Sequence, residues 1–149
     1  MIDADALDAL PKVLEVPAVL TPHAGELATL LGTSREAIEA DPLGSVVAAA
    51  ERWECTVLLK GPRTLVATPG RPTRVNLTGT PWLGTAGSGD VLAGLIGSLL
   101  ASGLDTHDAA SMGAFLHGRA AERLDGPLTA RDIAATLPNV ISEFGGAVS

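Results

Sequence analysis

Six residues, Cys55–Lys60 (CTVLLK), limit the possible folds more than any other segment. They are apolar and partly β-branched, do not alternate with polar residues, and stop at Gly61-Pro62. Such a run reads as a strand buried on both faces, which needs helices above and below it. The flanking sequence supplies them. Asp5–Lys12 reads as a short helix with Asp5 at its N-cap, stopped near Pro17, and Val16–Thr21 as a brief extended run. Pro22 turns the chain into a helix over Gly25–Leu31, closed by Gly32. Thr33 with Glu36 fits a capping box for a short helix ending before Asp41-Pro42. Asp41 as N-cap, with Pro42 in the first turn, starts a helix to Trp53 or Glu54.

Leu65–Thr68 and Arg74–Asn76 flank Pro69-Gly70 as a hairpin. Beyond the loop Leu77–Gly87, the spacing predicts a helix over Ser88–Ser102 with Gly103 past its end. A second long helix, capped by Thr106 or Asp108, reaches Arg123. A last one starts at Thr129 and Asp132 and ends near Glu143. Alternating helices and short buried strands predict one α/β domain with a largely parallel sheet flanked by helices. Only two or three strands are evident, however. The last-but-one helices carry small-residue faces (Ala93, Gly94, Gly97, Ala101 and Ala109, Ala110, Gly113, Ala114) that need packing partners on more than one side. The chain also opens abruptly at IDADAL, so the expectation is the C-terminal portion of a larger domain, with its N-terminal half missing.

Charge narrows the function. The 149 residues carry a net charge of −7, and Lys12 and Lys60 are the only lysines, which argues against a nucleic-acid binder. Cys55 is alone, so no intrachain disulfide forms. The N-terminus lacks a basic region, and the longest apolar stretch, Val91–Leu104, falls short of the ~20 residues that cross a bilayer. A cytoplasmic protein without a membrane partner is expected.

The chemistry is concentrated in Gly84-Thr85-Ala86-Gly87-Ser88-Gly89-Asp90, which runs straight into a helix. Gly87 and Gly89 allow close backbone approach to a ligand. The first amides of the helix lack intrahelical partners and sit at the positive end of its dipole. Together they make an anion site suited to phosphate or to the charge that develops in phosphoryl transfer. Asp90, in the first turn, is placed to orient a substrate hydroxyl and accept its proton. The plainer alternative is a glycine loop that caps a helix. Neither a Walker A nor a dinucleotide fingerprint is present.

GTAGSGDVLAGLIGSLLASG resembles the anion-hole motif of ribokinase-like proteins, and most of all the ADP- or ATP-dependent NAD(P)H-hydrate dehydratases. Ile2–Leu7 (IDADAL), Thr21–Gly32 (TPHAGELATLLG) and Leu58–Ala67 (LLKGPRTLVA) are similar to further motifs of that family in the same order. Ala114–Glu122 (AFLHGRAAE) resembles the helix behind its site. The resemblance implies a ribokinase-like fold and repair of hydrated NADH or NADPH. The ring hydroxyl is phosphorylated by ADP in the bacterial type, or by ATP, and loss of phosphate restores the dihydronicotinamide. By the same resemblance Asp90 contacts the hydrate and acts as base, and His23 lies against the hydrate. Lys60, Gly61, Pro62, Arg63, Thr64 and Gly89 line the nucleotide, and Gly87, Ser88 and Gly89 form the anion hole. Mg2+ bridges the phosphates without a dense carboxylate cluster to mark it. A homo-oligomer and a functional link to an NAD(P)H-hydrate epimerase are expected.

Departures from the family pattern are Ser88, where a bulkier residue is common, and Pro62 and Arg63, which replace small residues. Other readings stay open: a ribokinase-like kinase for a hydroxymethylpyrimidine, hydroxyethylthiazole or sugar alcohol, or an inactive nucleotide-binding fragment. Read by itself, His23 is a helix-start residue and Lys60 a strand-end lysine reaching solvent. Asp3 and Asp5 read as helix N-terminal acids, His107 as a solvent residue and His117 as a packed or capped one. Arg119 and Arg123 read as an exposed helix edge with Glu122.

Overall fold

A computed structural model describes residues 1–11 and 14–145 of the chain. Its elements, in order, are β1 (Val19–Leu20), α1 (Ala24–Leu31), α2 (Arg35–Ala40), α3 (Pro42–Trp53), β2 (Thr56–Leu59), β3 (Thr64–Ala67), β4 (Arg74–Asn76), α4 (Ser88–Ala101), α5 (Thr106–Glu122) and α6 (Ala130–Gly145). Short 3₁₀ turns cover Ala4–Ala9 and Pro81–Gly84. The expected Asp5–Lys12 helix is thus a 3₁₀ turn with Asp3 at its N-cap; Lys12 lies outside the described residues.

The described strands form one sheet in the order β1-β2-β3-β4. β1 runs parallel to β2, whereas β2-β3 and β3-β4 are antiparallel. The α/β class holds. The largely parallel sheet does not hold within this chain, because the hairpin foreseen over residues 65–76 contributes two of the three pairings, with Leu65 opposite Val75.

Alternation along β2 explains why its sequence is continuously apolar. Val57 and Leu59 face a cluster with Leu27, Ile38, Val46, Ala49, Ala50 and Trp53 from α1, α2 and α3. Leu58 faces the opposite cluster with Leu92, Ile96, Ala109, Ala110 and Ala114 from α4 and α5. Val57, Leu58 and Leu59 are each buried and contribute about 2 kcal/mol of transfer free energy apiece, enough to hold so short a strand inside the sheet. The small-residue faces behave as expected in part. Ala93, Ala109, Ala110 and Ala114 are buried, while Gly94 and Ala101 remain exposed. α5 and α6 enclose a third cluster around Leu116, Ala120, Ile133 and Val140.

Local chemistry sets the helix ends, and two caps differ from expectation by one position. α2 is capped by Ser34, whose hydroxyl accepts from the Ala37 amide, not by Thr33. α5 is capped by Asp105, which accepts from the Asp108 amide. Asp41 caps α3 through the Gly44 amide, as read from the sequence. Thr129 and Asp132 reciprocate at the start of α6.

His107, expected at solvent, is buried in a polar strip within the core. Its Nδ1 lies 2.8 Å from the Thr68 hydroxyl, and Thr56 joins the strip by bonding both Thr68 and Thr106. Arg119 pairs with Glu122 as expected, whereas Arg123 reaches Glu143 of α6.

Candidate active site

The C-terminal ends of β1 and β2 lie side by side and carry His23 and Lys60, which bridge as parallel partners. The Lys60 amide donates to the Pro22 carbonyl at 2.8 Å, which fixes that register. Ligands in α/β folds collect at such strand ends. Lys60 does not extend into solvent there. Its Nζ lies 2.9 Å from Asp3 Oδ1 and 3.8 Å from Glu26 Oε2, and only 23% of its side chain is exposed. Glu26 also closes a capping box with His23: the His23 amide donates to Glu26 Oε2 at 2.6 Å, and the Glu26 amide donates to His23 Nδ1 at 3.0 Å. The helix-start reading of His23 is therefore realised, and its Nε2, on an exposed side chain, lies 3.5 Å from Glu26 Oε1.

The glycine turn faces this group. A Cβ built on Gly89 would lie 3.5 Å from Lys60 Nζ and 4.0 Å from Asp3 Oδ2. Gly87, at the N-cap of α4, adopts φ 80°, a left-handed conformation that glycine takes without strain. A side chain there would also crowd Ala130 Cβ at 3.2 Å. The Ser88 amide donates to Thr85 O at 3.3 Å, a long bond. Gly89 and Asp90 supply the next amides of the first turn, which have no carbonyl one turn back within the helix. Asp90 is exposed, with Oδ2 4.0 Å from the Cβ position of Gly87. The turn thus has the Lys60 ammonium beside Gly89 and the Asp90 carboxylate beside Gly87.

The turn is braced from behind. His117, buried on α5, donates from Nε2 to the Ser88 carbonyl at 3.0 Å and lies 3.3 Å from the Ser88 hydroxyl. Burial lowers its pKa, opposed by the hydrogen bond to Ser88. A histidine kept neutral in the fold stabilises it fully above the unfolded value of about 6.5 and loses that contribution as pH falls below it. The melting temperature should therefore drop between pH 7 and pH 5, less steeply in His117→Gln. An identical slope in both proteins would show that this histidine does not couple to folding.

The other expected nucleotide-side residues follow Lys60 directly in the chain. Gly61, Pro62 and Arg63 make an exposed turn between β2 and β3, and Thr64 opens β3. Asp3, Thr21 and Glu26, which close around Lys60, were not among the expected site residues. The signal for them was Lys60 itself, because an ammonium at the end of a buried strand needs a carboxylate partner. A recess of about 500 Å³ lined by Leu7, Leu10, Pro11, Thr29, Leu30, Arg52 and Trp53 includes none of these groups. Among the described residues no three His, Cys, Asp or Glu side chains gather as a metal site, and no helix is long and apolar enough to cross a membrane.

Comparison with known proteins adds a family context. The family model described as NAD(P)H-hydrate dehydratase matches residues 1–143. The Bifunctional NAD(P)H-hydrate repair enzyme Nnr of Moorella thermoacetica is 46% identical over 128 residues, which are 82% of this chain and 24% of that protein. The ADP/ATP-dependent NAD(P)H-hydrate dehydratase of Bacillus subtilis, crystallised with ATP and Mg2+, superimposes with a TM-score of 0.87 at 29% identity, over 95% of this chain and 53% of that one. A ribokinase-like superfamily protein from Enterococcus faecalis gives a TM-score of 0.79 at 26% identity, over 96% and 52%. The fold is ribokinase-like, as expected, and the chain spans about half or less of the length of these relatives.

Proposed function

The chain belongs to the NAD(P)H-hydrate dehydratase family, and on that premise we propose that it supplies the phosphoryl-transfer surface for repair of hydrated NADH and NADPH. The observation that carries this reading is the meeting of Lys60, Asp90 and the glycine turn at the N-terminus of α4. Hydroxide is a poor leaving group and phosphate a good one, so phosphorylation of the ring hydroxyl turns a difficult dehydration into an easy elimination.

In this mechanism ADP, or ATP in its place, presents its terminal phosphoryl group to the amides of Gly87, Ser88 and Gly89. Asp90 accepts the proton of the hydrate's hydroxyl as that oxygen attacks phosphorus, and AMP departs with the electrons of the broken P–O bond. Phosphate then leaves the ring carbon as a neighbouring C–H gives up its proton, restoring the double bond. His23 holds the hydrate through its exposed edge. Lys60 faces the phosphates, and the turn Gly61, Pro62, Arg63 with Thr64 borders the rest of the nucleotide.

Mg2+ would be held through the nucleotide phosphates. Asp90 is the carboxylate that would share it, and the ion would neutralise phosphate charge.

A cytoplasmic location beside the nicotinamide nucleotide pool, and work in sequence with an NAD(P)H-hydrate epimerase, go with this reading. So does self-association through an open sheet edge such as that of β4.

Incubating the chain with hydrated NADH, ADP and Mg2+ should restore the absorbance of reduced nicotinamide, with release of AMP and phosphate. No recovery of absorbance would overturn the reading. Phosphorylation of a small alcohol in its place would identify a kinase of the same fold.

A further inference from the structure

We propose that Asp3 is a positioning residue that holds the Lys60 ammonium against the glycine turn. The inference rests on the phosphoryl-transfer reading of the same site and assigns a part to a residue outside it. Asp3 occupies the N-cap of the first 3₁₀ turn, with extended φ and ψ of −142° and 161°, yet its side chain makes no capping hydrogen bond. A carboxylate in that position ordinarily accepts from the amides that follow it. This one accepts from the Thr21 hydroxyl at 2.7 Å and from Lys60 Nζ at 2.9 Å, both at Oδ1.

The backbone around it is fixed. The Ile2 amide donates to Val19 O at 2.8 Å and the Thr21 amide to Ile2 O at 3.1 Å, so Asp3 leaves directly from the edge of β1. Thr21 is buried, and the Asp3 side chain is 11% exposed. An ion pair so shielded is weakly screened, unlike an exposed pair of lysine and carboxylate.

A lysine has a flexible four-carbon stem and a point charge with no directional fork. Without an anchor its ammonium would follow a bound phosphate from one position to another. Held by Asp3, it presents a stationary charge beside the first-turn amides, 3.5 Å from the Cβ position of Gly89. Fixed charge of this kind favours the transition state because nothing has to reorganise during the reaction. The same carboxylate sets a negative charge near an anionic nucleotide, so it weakens ground-state binding. Asp3 therefore raises turnover without strengthening nucleotide capture.

The test is a double-mutant cycle in the full chain with Asp3→Asn and Lys60→Met, reading the rate of NADH recovery and the ADP dissociation constant by calorimetry. Asp3→Asn should lower turnover by about tenfold, less than the 10²–10³ typical of losing a direct oxyanion donor, with ADP bound as tightly as before or tighter. In the Lys60→Met background it should have no further effect. An equal loss in both backgrounds, or ADP binding weakened in step with turnover, would overturn the proposal.

A second readout is independent of activity. The chain has two lysines, so acylation of Lys60 can be scored against Lys12 by peptide mass. Asp3→Asn should raise the Lys60 to Lys12 ratio severalfold, since the amine loses its nearer carboxylate and keeps only Glu26 at 3.8 Å. An unchanged ratio overturns the pairing. A raised ratio in a chain that never restores NADH supports the pairing and overturns the functional reading alone.

Discussion

Asp90→Asn is expected to lower turnover by about 10³–10⁴-fold, the upper part of what a positioned general base contributes, while ADP binding by calorimetry stays largely unchanged. The reasoning follows from what the substitution keeps. Asparagine preserves the shape of the side chain and leaves every main-chain amide of the turn in place, so the proposed anion-binding surface at Gly87, Ser88 and Gly89 survives. What disappears is the only group on this exposed first turn that can take a proton from an attacking hydroxyl. The side chain makes no hydrogen bond that the fold depends on, and it is exposed, so the melting temperature should move little. A variant that retains near-native turnover would remove Asp90 from the proton-accepting role. A variant that loses ADP binding and activity together would mean that the carboxylate organises the turn itself.

Gly118→Ala should give the largest loss of stability from a single methyl group. Gly118 lies on the buried side of α5, where a Cβ would sit 2.6 Å from the Thr78 carbonyl carbon and 2.7 Å from its oxygen. Those are backbone atoms, so no rotamer change can relieve the clash. The segment they belong to is also pinned. Asn76 Nδ2 donates to the Ala114 carbonyl, the Thr78 hydroxyl to the Phe115 carbonyl, and the Gly79 amide to Glu122. Making room means breaking some of these bonds or pushing α5 away from β4. The cost is about 3 kcal/mol, the upper end of the usual overpacking range. In a chain of this size that corresponds to a fall of roughly 6–12 °C in melting temperature, readable by calorimetry. A change of less than a degree would show that the loop is not seated on α5 as described.

How far the sequence foretells this molecule depends on whether a signal is local. The caps at Asp41 and Thr129, the hairpin around Pro69-Gly70 and the start of α4 at Ser88 are all decided within a few residues, and each stands where it was expected. The one-position errors at Thr33/Ser34 and at Asp105 come from neighbouring residues that are equally competent to cap, so that only the path of the entering chain selects between them. Sheet direction was misjudged because short apolar runs carry no label for parallel or antiparallel pairing. His107 was misplaced because its partners, Thr56 and Thr68, lie on strands far away in sequence.

The site divides the same way. Its glycine turn and Asp90 form one contiguous motif and were legible. The Asp3 contact joins residues 57 positions apart, and the His117 brace joins residues 29 apart. No spacing rule reports either. Resemblance to a family supplied the order of the motifs, while the geometry brings Lys60 together with Gly89 and Asp3.

The bridge between His23 and Lys60 also bears on how the molecule acquires its competence. Segments from the first residues, from the end of β1, from the end of β2 and from the start of α4 must all arrive before the proposed anion site is complete. Distant encounters of this sort are slow and come late in folding, since a long loop has to close before its contacts are formed. Regained ligand binding during refolding should therefore lag behind regained helical signal, which makes capture of the nucleotide a clock for the final stage of assembly.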